Sequence, residues 1–382
     1  MAARQRTHVL LTADTVGGVW SHALELADGL GAAGLRVALA TMGSPVSAQQ
    51  RADVARLPTV SLHESTYRLE WMPAPWKDVR LAGEWLLGLE AELQPAIVHL
   101  NQFAFGALPF AAPTLLVAHS CVLSWWRAVH RTGAPASWDR YRRAVIQGLA
   151  GATRVGAPTQ AMLSSLRTNY AFQDVGLVLP NARRPTDYVP GVKQPLILAA
   201  GRLWDAAKNL DALEAVAPRL PWPVRVAGST SQPTGGVRRT QAVHALGELA
   251  PAALARELAQ TAIYALPARY EPFGQTVLEA ALCGCALVLG DVPSLREVWG
   301  ASALYVPPDD HAALHAALMR LIDDAALRRK LAEKARARAL RYTPERMVGA
   351  YLAAYAGMAA AMPGGVASKP AFGPRTETAC AS

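Results

Sequence analysis

The chain has 382 residues, 52% of them hydrophobic and 18% charged, which describes a globular protein long enough for two domains with a core in each. A net charge of +9 suits anionic ligands or an anionic surface, but no aromatic-basic module accompanies it, so nucleic acid is not an expected partner. No apolar run approaches the ~20 residues of a membrane span, and four scattered cysteines exclude a disulfide framework or a C-x-x-C site.

In chain order, HVLLTAD (8–14) reads as a first strand closed by Asp14, too short for a secretory signal. A cytoplasmic location is therefore the default expectation. Gly17 and Gly18 follow, then a helix through Trp20 to residue 34, and a strand, LRVALATM, at 35–42. PAIVHLN (95–101), TLLVAHS (114–120) and TRVGAPT (153–159) continue the series, with helical segments between them. Residues 181–195, NARRPTDYVPGVKQP, are rich in proline and polar residues and lack periodicity, as a linker should. A second series follows: PLILAAG (195–201), PVRVAG (223–228), IYALPA (263–268), ALVLGD (286–291) and ALYVP (303–307). Helical segments occupy 309–341 and 344–362, and the Arg328–Arg341 charge cluster reads as a solvated face.

Continuous apolar strands separated by helices indicate parallel sheets covered on both faces, and two series indicate two doubly wound α/β domains. The expected division is a Rossmann-like domain at 1–185, a second at 186–340, a helix at 341–360 that crosses back to the first, and a disordered tail at 361–382. Such sheets bind ligands at the carboxyl ends of their strands, so the expected site is a cleft between the two domains.

The residues just past the strands carry the chemistry. Gly17-Gly18 lets backbone amides approach an anion at a helix start, although a tight turn explains the pair about as well. His119 ends an apolar strand on the ligand side. Arg202 and Lys208 flank a short loop after PLILAAG, where two cations would hold a diphosphate; surface charge is the plain alternative. Glu271 follows IYALPA, and Glu279 lies eight residues on, along a helix opened by Phe273-Gly274. Two hydroxyl acceptors on either side of an anion-binding region suit a ligand with a sugar at each end and phosphates between, a nucleotide sugar. A glycosidase pair would instead set two carboxylates about 5–9.5 Å apart across one bond. Taken singly, either glutamate also suits a helix cap or a surface charge. Trp125, Trp126 and Trp138, with nearby arginines, suit an acceptor wall, an anionic lipid surface or ordinary core packing.

The stretch YEPFGQTVLEAALCG, preceded by GRLWDAAKN and by GGVWSHALELADGL, resembles the retaining glycosyltransferases of family GT4, which have the GT-B fold, over about residues 8 to 355. The resemblance implies a metal-independent transferase that uses a nucleotide-diphosphate sugar and no cofactor, consistent with the lack of any D-x-D. It assigns Glu271, with amides near Phe273 and Gly274, to the transferred sugar and Glu279 to the ribose. Arg202 and Lys208 go to the diphosphate, His119 to the reacting carbon, and Leu246 and Gly247 to the nucleobase. Gly17 and Gly18 would border phosphate and acceptor, with Asp14, Trp20, Trp125 and Asn181 on the acceptor side. It leaves the acceptor open among a glycan, a lipid-linked molecule and a small metabolite, and with it a weak peripheral contact at the inner membrane face. A non-catalytic nucleotide-sugar-binding protein and a GT-B sugar-nucleotide epimerase remain as alternatives. VAGSTSQPTGG and GDVPSLREVWG, with Asp291, Ser294 and Glu297, depart from the family's usual turns.

Overall fold

The computed structural model describes residues 9–231 and 238–360. The first sheet has seven strands: β1 (Val9–Asp14), β2 (Val37–Met42), β3 (Val60–Glu64), β4 (Ile97–Leu100), β5 (Thr114–Val117), β6 (Arg154–Ala157) and β7 (Leu177–Val178). The second has six: β8 (Gln194–Ala200), β9 (Val224–Ala227), β10 (His244–Ala245), β11 (Thr261–Leu266), β12 (Ala286–Gly290) and β13 (Leu304–Val306). Their orders are β3-β2-β1-β4-β5-β6-β7 and β10-β9-β8-β11-β12-β13, and the pairings within β1–β6 and within β8–β13 are parallel. These are the two Rossmann-like sheets that the apolar runs imply.

Chain direction across the sheet reverses between β1 and β4 in the first sheet and between β8 and β11 in the second. Helices leaving neighbouring strands there go to opposite faces, which opens a crevice at the strands' carboxyl ends. Strand β8 leads into Gly201–Lys208, and β11 leads into Glu271. The residues singled out after those two strands therefore stand at the second sheet's switch point. The central strands are buried on both faces, whereas no residue of the edge strand β3 is fully buried.

The described residues fall into two compact units, one drawn from 9–117, 144–156 and 345–360, the other from 118–143, 157–231 and 238–344. In the first unit, the helix Pro344–Ala360 is held by buried aromatic contacts. Tyr355 shares a 2.7 Å hydrogen bond with His99 Nδ1, and Tyr351 stacks on His99 at 5.2 Å and bonds His22 at 3.2 Å. The expected disordered tail, 361–382, lies outside the described residues. Among the described residues no helix is long and apolar enough to cross a membrane.

The basic cluster of Arg328–Arg341 is not simply a solvated face. Arg336 donates to the carbonyl of Leu282, and Arg338 donates to the carbonyls of Glu297 and Val298. Carbonyls at helix ends have no partner inside the helix, so cations there complete them and meet the negative end of the dipole. Arg328 instead lies over the Trp222 ring at 5.0 Å.

Candidate donor site at the second sheet's switch point

Three glycines line the carboxyl edge of β8, β9 and β10. Gly201 donates to Ala227 O at 3.0 Å, Gly228 donates to Gly247 O at 2.7 Å, and Leu246 donates to Val226 O at 2.8 Å. A Cβ on Gly228 would stand 1.7 Å from the carbonyl oxygen of Gly201, so the two backbones meet where no side chain fits. The result is a ledge of bare main chain beside the loop that carries the cations.

That loop is fixed by Asp205 and Asn209. Asp205, 4% exposed, caps the single turn Ala206–Lys208 by accepting from Ala207 N at 2.9 Å. The same carboxylate accepts from Trp125 Nε1 at 2.8 Å and from Arg202 at 2.9 Å. Asn209 adopts the left-handed conformation that asparagine tolerates, with φ +56°. Its side chain donates to Pro267 O at 2.9 Å and Pro308 O at 2.6 Å, which ties the loop to the end of β11. Lys208 is thereby aimed at Glu271.

The two side chains meet at 2.5 Å, with Lys208 17% and Glu271 11% exposed. The second oxygen of Glu271 accepts from Gly274 N at 2.9 Å. Gly274 precedes the helix Gln275–Leu282 with φ +89°, a conformation that favours glycine. Glu271 thus sits against a helix N-terminus and a cation, both of which stabilise its charge. Phe273 lends only its backbone, because its ring is buried edge-on to Tyr342 at 5.4 Å.

Glu279 is buried in an ion pair with Arg183, 2.7 Å apart and 8% exposed on each side. Residues 181–195 are therefore more than a passive linker: Asn181, Ala182, Arg183 and Tyr188 are all buried. The Asn181 Oδ1 has no partner among the described residues.

His119 is half-buried just past β5. Burial lowers its pKa to about 4, so the imidazole is neutral at pH 7. Its neighbours Ser120 and Cys121 are held by Tyr270, whose hydroxyl accepts from Cys121 N at 3.1 Å and from Ser120 at 3.4 Å. A side-chain NMR titration of His119 is expected to show a midpoint near pH 4; one near 6.5 would remove the argument for a permanently neutral ring. The linked stability has a definite sign: between those values the unfolded chain binds the proton and the folded chain does not, so stability falls as pH drops from about 6.5 towards 4.

The departures at 291–297 have structural work. Ser294 Oγ donates to the carbonyl of Glu271, Arg296 donates from Nε and Nη2 to the two carboxylate oxygens of Asp291, and Glu297 accepts from Gln160 N at 2.7 Å and Ala161 N at 2.8 Å. Asp211 pairs with Arg238.

In the first unit, Asp14 accepts from Val16 N at 3.2 Å and Gly17 N at 3.0 Å. The Gly17 amide expected to meet an anion is thus already engaged by a carboxylate. A phosphate there would face that negative charge, so the turn reading of Gly17-Gly18 is the better one. Trp20 is buried in the helix Gly18–Ala32.

The family model described as Glycosyltransferase Family 4 matches residues 16–186, and that described as Glycosyl transferases group 1 matches 194–324. Both models describe glycosyltransferases, and together they span most of the chain. A glycogen synthase of Mycobacterium tuberculosis is 40% identical over 75 residues, 19% of this chain and 18% of the relative's length. A sucrose-phosphate synthase from Thermosynechococcus elongatus has the same fold, with TM-score 0.76, 19% identity and coverage of 94% of this chain and 100% of that one. Anabaena HepE, solved in complex with UDP-glucose, matches at TM-score 0.71 and 15% identity, over 94% of this chain and 100% of that one. The fold is accordingly GT-B.

The structure pairs Lys208 with Glu271, ties Arg202 to Asp205 in the same loop, and sets Leu246 and Gly247 on the glycine ledge. Glu279 follows on the same helix as Gly274's cap. Trp125 is tied to Asp205 instead of standing free as a wall, and it meets Trp126 at 6.2 Å. Arg183, Asp205 and Tyr270 were missed by sequence reasoning. Tyr270 and Asp205 lie inside the quoted motifs, and Arg183 lies two residues past Asn181 in the linker stretch.

Proposed function

We propose that the protein is a retaining, metal-independent glycosyltransferase that moves a sugar from a nucleotide-diphosphate sugar to an acceptor hydroxyl. The observation that carries this reading is the Lys208–Glu271 pair at the switch point, beside the ledge of Gly201, Gly228 and Gly247. Breaking a sugar–phosphate bond leaves negative charge on the diphosphate and positive character on the sugar. A cation fixed before the reaction stabilises charge that grows in the transition state, and so accelerates the step as well as tightening binding.

In this reading Lys208 and Arg202 receive the diphosphate, and Glu271 accepts from hydroxyls of the transferred sugar. Glu279 accepts from the ribose, and Leu246-Gly247 border the base. Neutral His119 accepts or donates a hydrogen bond at the sugar without adding charge. Arg202 exchanges its Asp205 contact for phosphate, which its 43% side-chain exposure permits. Retention of configuration and the absence of a metal are carried from the family resemblance. Asp14 suits an acceptor hydroxyl better than a phosphate, and the acceptor class stays among glycans, lipid-linked molecules and small metabolites. We take the work to be cytoplasmic, with any membrane contact peripheral.

The test is a thermal shift against UDP-, GDP-, ADP- and dTDP-sugars, since a ligand bound by the folded state raises the melting temperature by mass action. One nucleotide series should raise it, and Glu279→Ala should lose the rise. No shift with any donor at millimolar concentration would overturn the reading.

A further inference from the structure

The guanidinium of Arg183 has a partner on each of its three nitrogens. Nε donates to Glu279 Oε1 at 2.7 Å, Nη2 to Gln275 Oε1 at 2.9 Å, and Nη1 to Ala182 O at 3.1 Å. Gln275 and Glu279 are four residues apart on one helix, so their side chains share a face and a planar fork can bridge them. The backbone of Arg183 is held as well, its N–H donating to Tyr342 O at 3.2 Å. Burial, and after it the charge of the Glu279 carboxylate, push up the pKa of Tyr188 from the same segment.

A fully engaged guanidinium is a poor phosphate receptor. Its effect falls on the carboxylate it holds. An ionised carboxylate offers about four acceptor positions, and Arg183 takes part of that capacity while fixing the plane of the group. We propose that Arg183 is a positioning residue for donor recognition, which orients Glu279 so that its remaining acceptor capacity selects a ribose hydroxyl of the nucleotide. The inference rests on the donor-binding reading of Glu279. In this proline-rich stretch the sequence singles out Asn181 and not Arg183.

The prediction concerns a ratio. UDP, GDP and ADP are compared by calorimetry with their 2′-deoxy counterparts, using the pair whose ribose member binds wild type most tightly. A hydroxyl bonded to a charged acceptor is expected to make that ratio about tenfold or more. Arg183→Lys keeps the charge but cannot bridge two partners, and should reduce the ratio to about threefold or less. Gln275→Ala, at a half-buried position, should lower it partway without affecting folding.

Melting temperatures recorded in parallel separate positioning from scaffolding. A lower melting temperature with an unchanged ratio in both variants would overturn the inference and leave Arg183 a structural residue. Wild type that binds nucleoside diphosphates without preferring ribose would remove the role of Glu279 and the inference with it. Wild type that binds none of them would overturn the transferase reading itself.

Discussion

Replacing Lys208 with methionine is expected to lower kcat by about 10²–10³-fold, the usual cost of removing one pre-aimed charge stabiliser from a transition state. Methionine keeps the stem that packs against Gly201, where a Cβ on the glycine would lie 3.5 Å from the Lys208 chain. The charge alone is lost. Glu271 is then left as a largely buried carboxylate without its cation, so some stability should go too. The double variant Lys208→Met, Glu271→Gln separates the two effects. If the residues act as a unit, the double variant should be little slower than the slower single variant and should recover stability. Arg202 should matter less, because Asp205 already neutralises it and it is more exposed. Steady-state rates with the donor found by thermal shift decide the matter, and a Lys208→Met enzyme at full speed would remove the lysine from the chemistry.

Gly228→Ala is expected to be among the most destabilising single substitutions, about 4 kcal/mol or more, which places it in the diagnostic tail of such effects. Two independent costs combine. The added Cβ would meet the Gly201 carbonyl oxygen at 1.7 Å, and φ at this position is +139°, where side chains rarely go. Backbone is the obstacle, so no rotamer change relieves the contact. Gly34→Ala is the control: φ is +85° there, but nothing lies within 4 Å of the new carbon. It should cost only the conformational strain, about 1–2 kcal/mol. Paired thermal melts measure both. Equal losses at the two sites would mean that the glycine ledge relaxes, and that its close approach is not required.

Most of the architecture was legible because parallel strands buried on both faces are continuous apolar runs. HVLLTAD, TLLVAHS and IYALPA leave little choice once helices separate them. Strand β3 was not legible because it lies at the sheet's edge with no fully buried residue, and VSLHE lacks an apolar run. The two-residue strands β7 and β10 are too short for any period to show. Lys208 and Glu271 could be found because each lies a few residues past a strand end, a position that the topology makes functional. Arg183 could not, since its partner is 96 residues away and nothing local demands a buried cation. The choice between the two readings of Gly17 was open in the sequence for a related reason. Glycine licenses a close approach, but only the structure shows that Asp14, three residues earlier, has already made it.

The hydrogen bond from Trp125 to Asp205, with that from Cys121 to Tyr270, joins positions 80 and 149 residues apart within one compact unit. For anyone exchanging halves between relatives to change acceptor, this alters where the seam belongs. A chimera cut at the proline-rich stretch imports a foreign tryptophan helix, which must find an aspartate and a tyrosine in the host. These contacts should travel together as a module, so grafts that carry residues 118–143 with the second sheet should keep the Arg202–Lys208 loop in register.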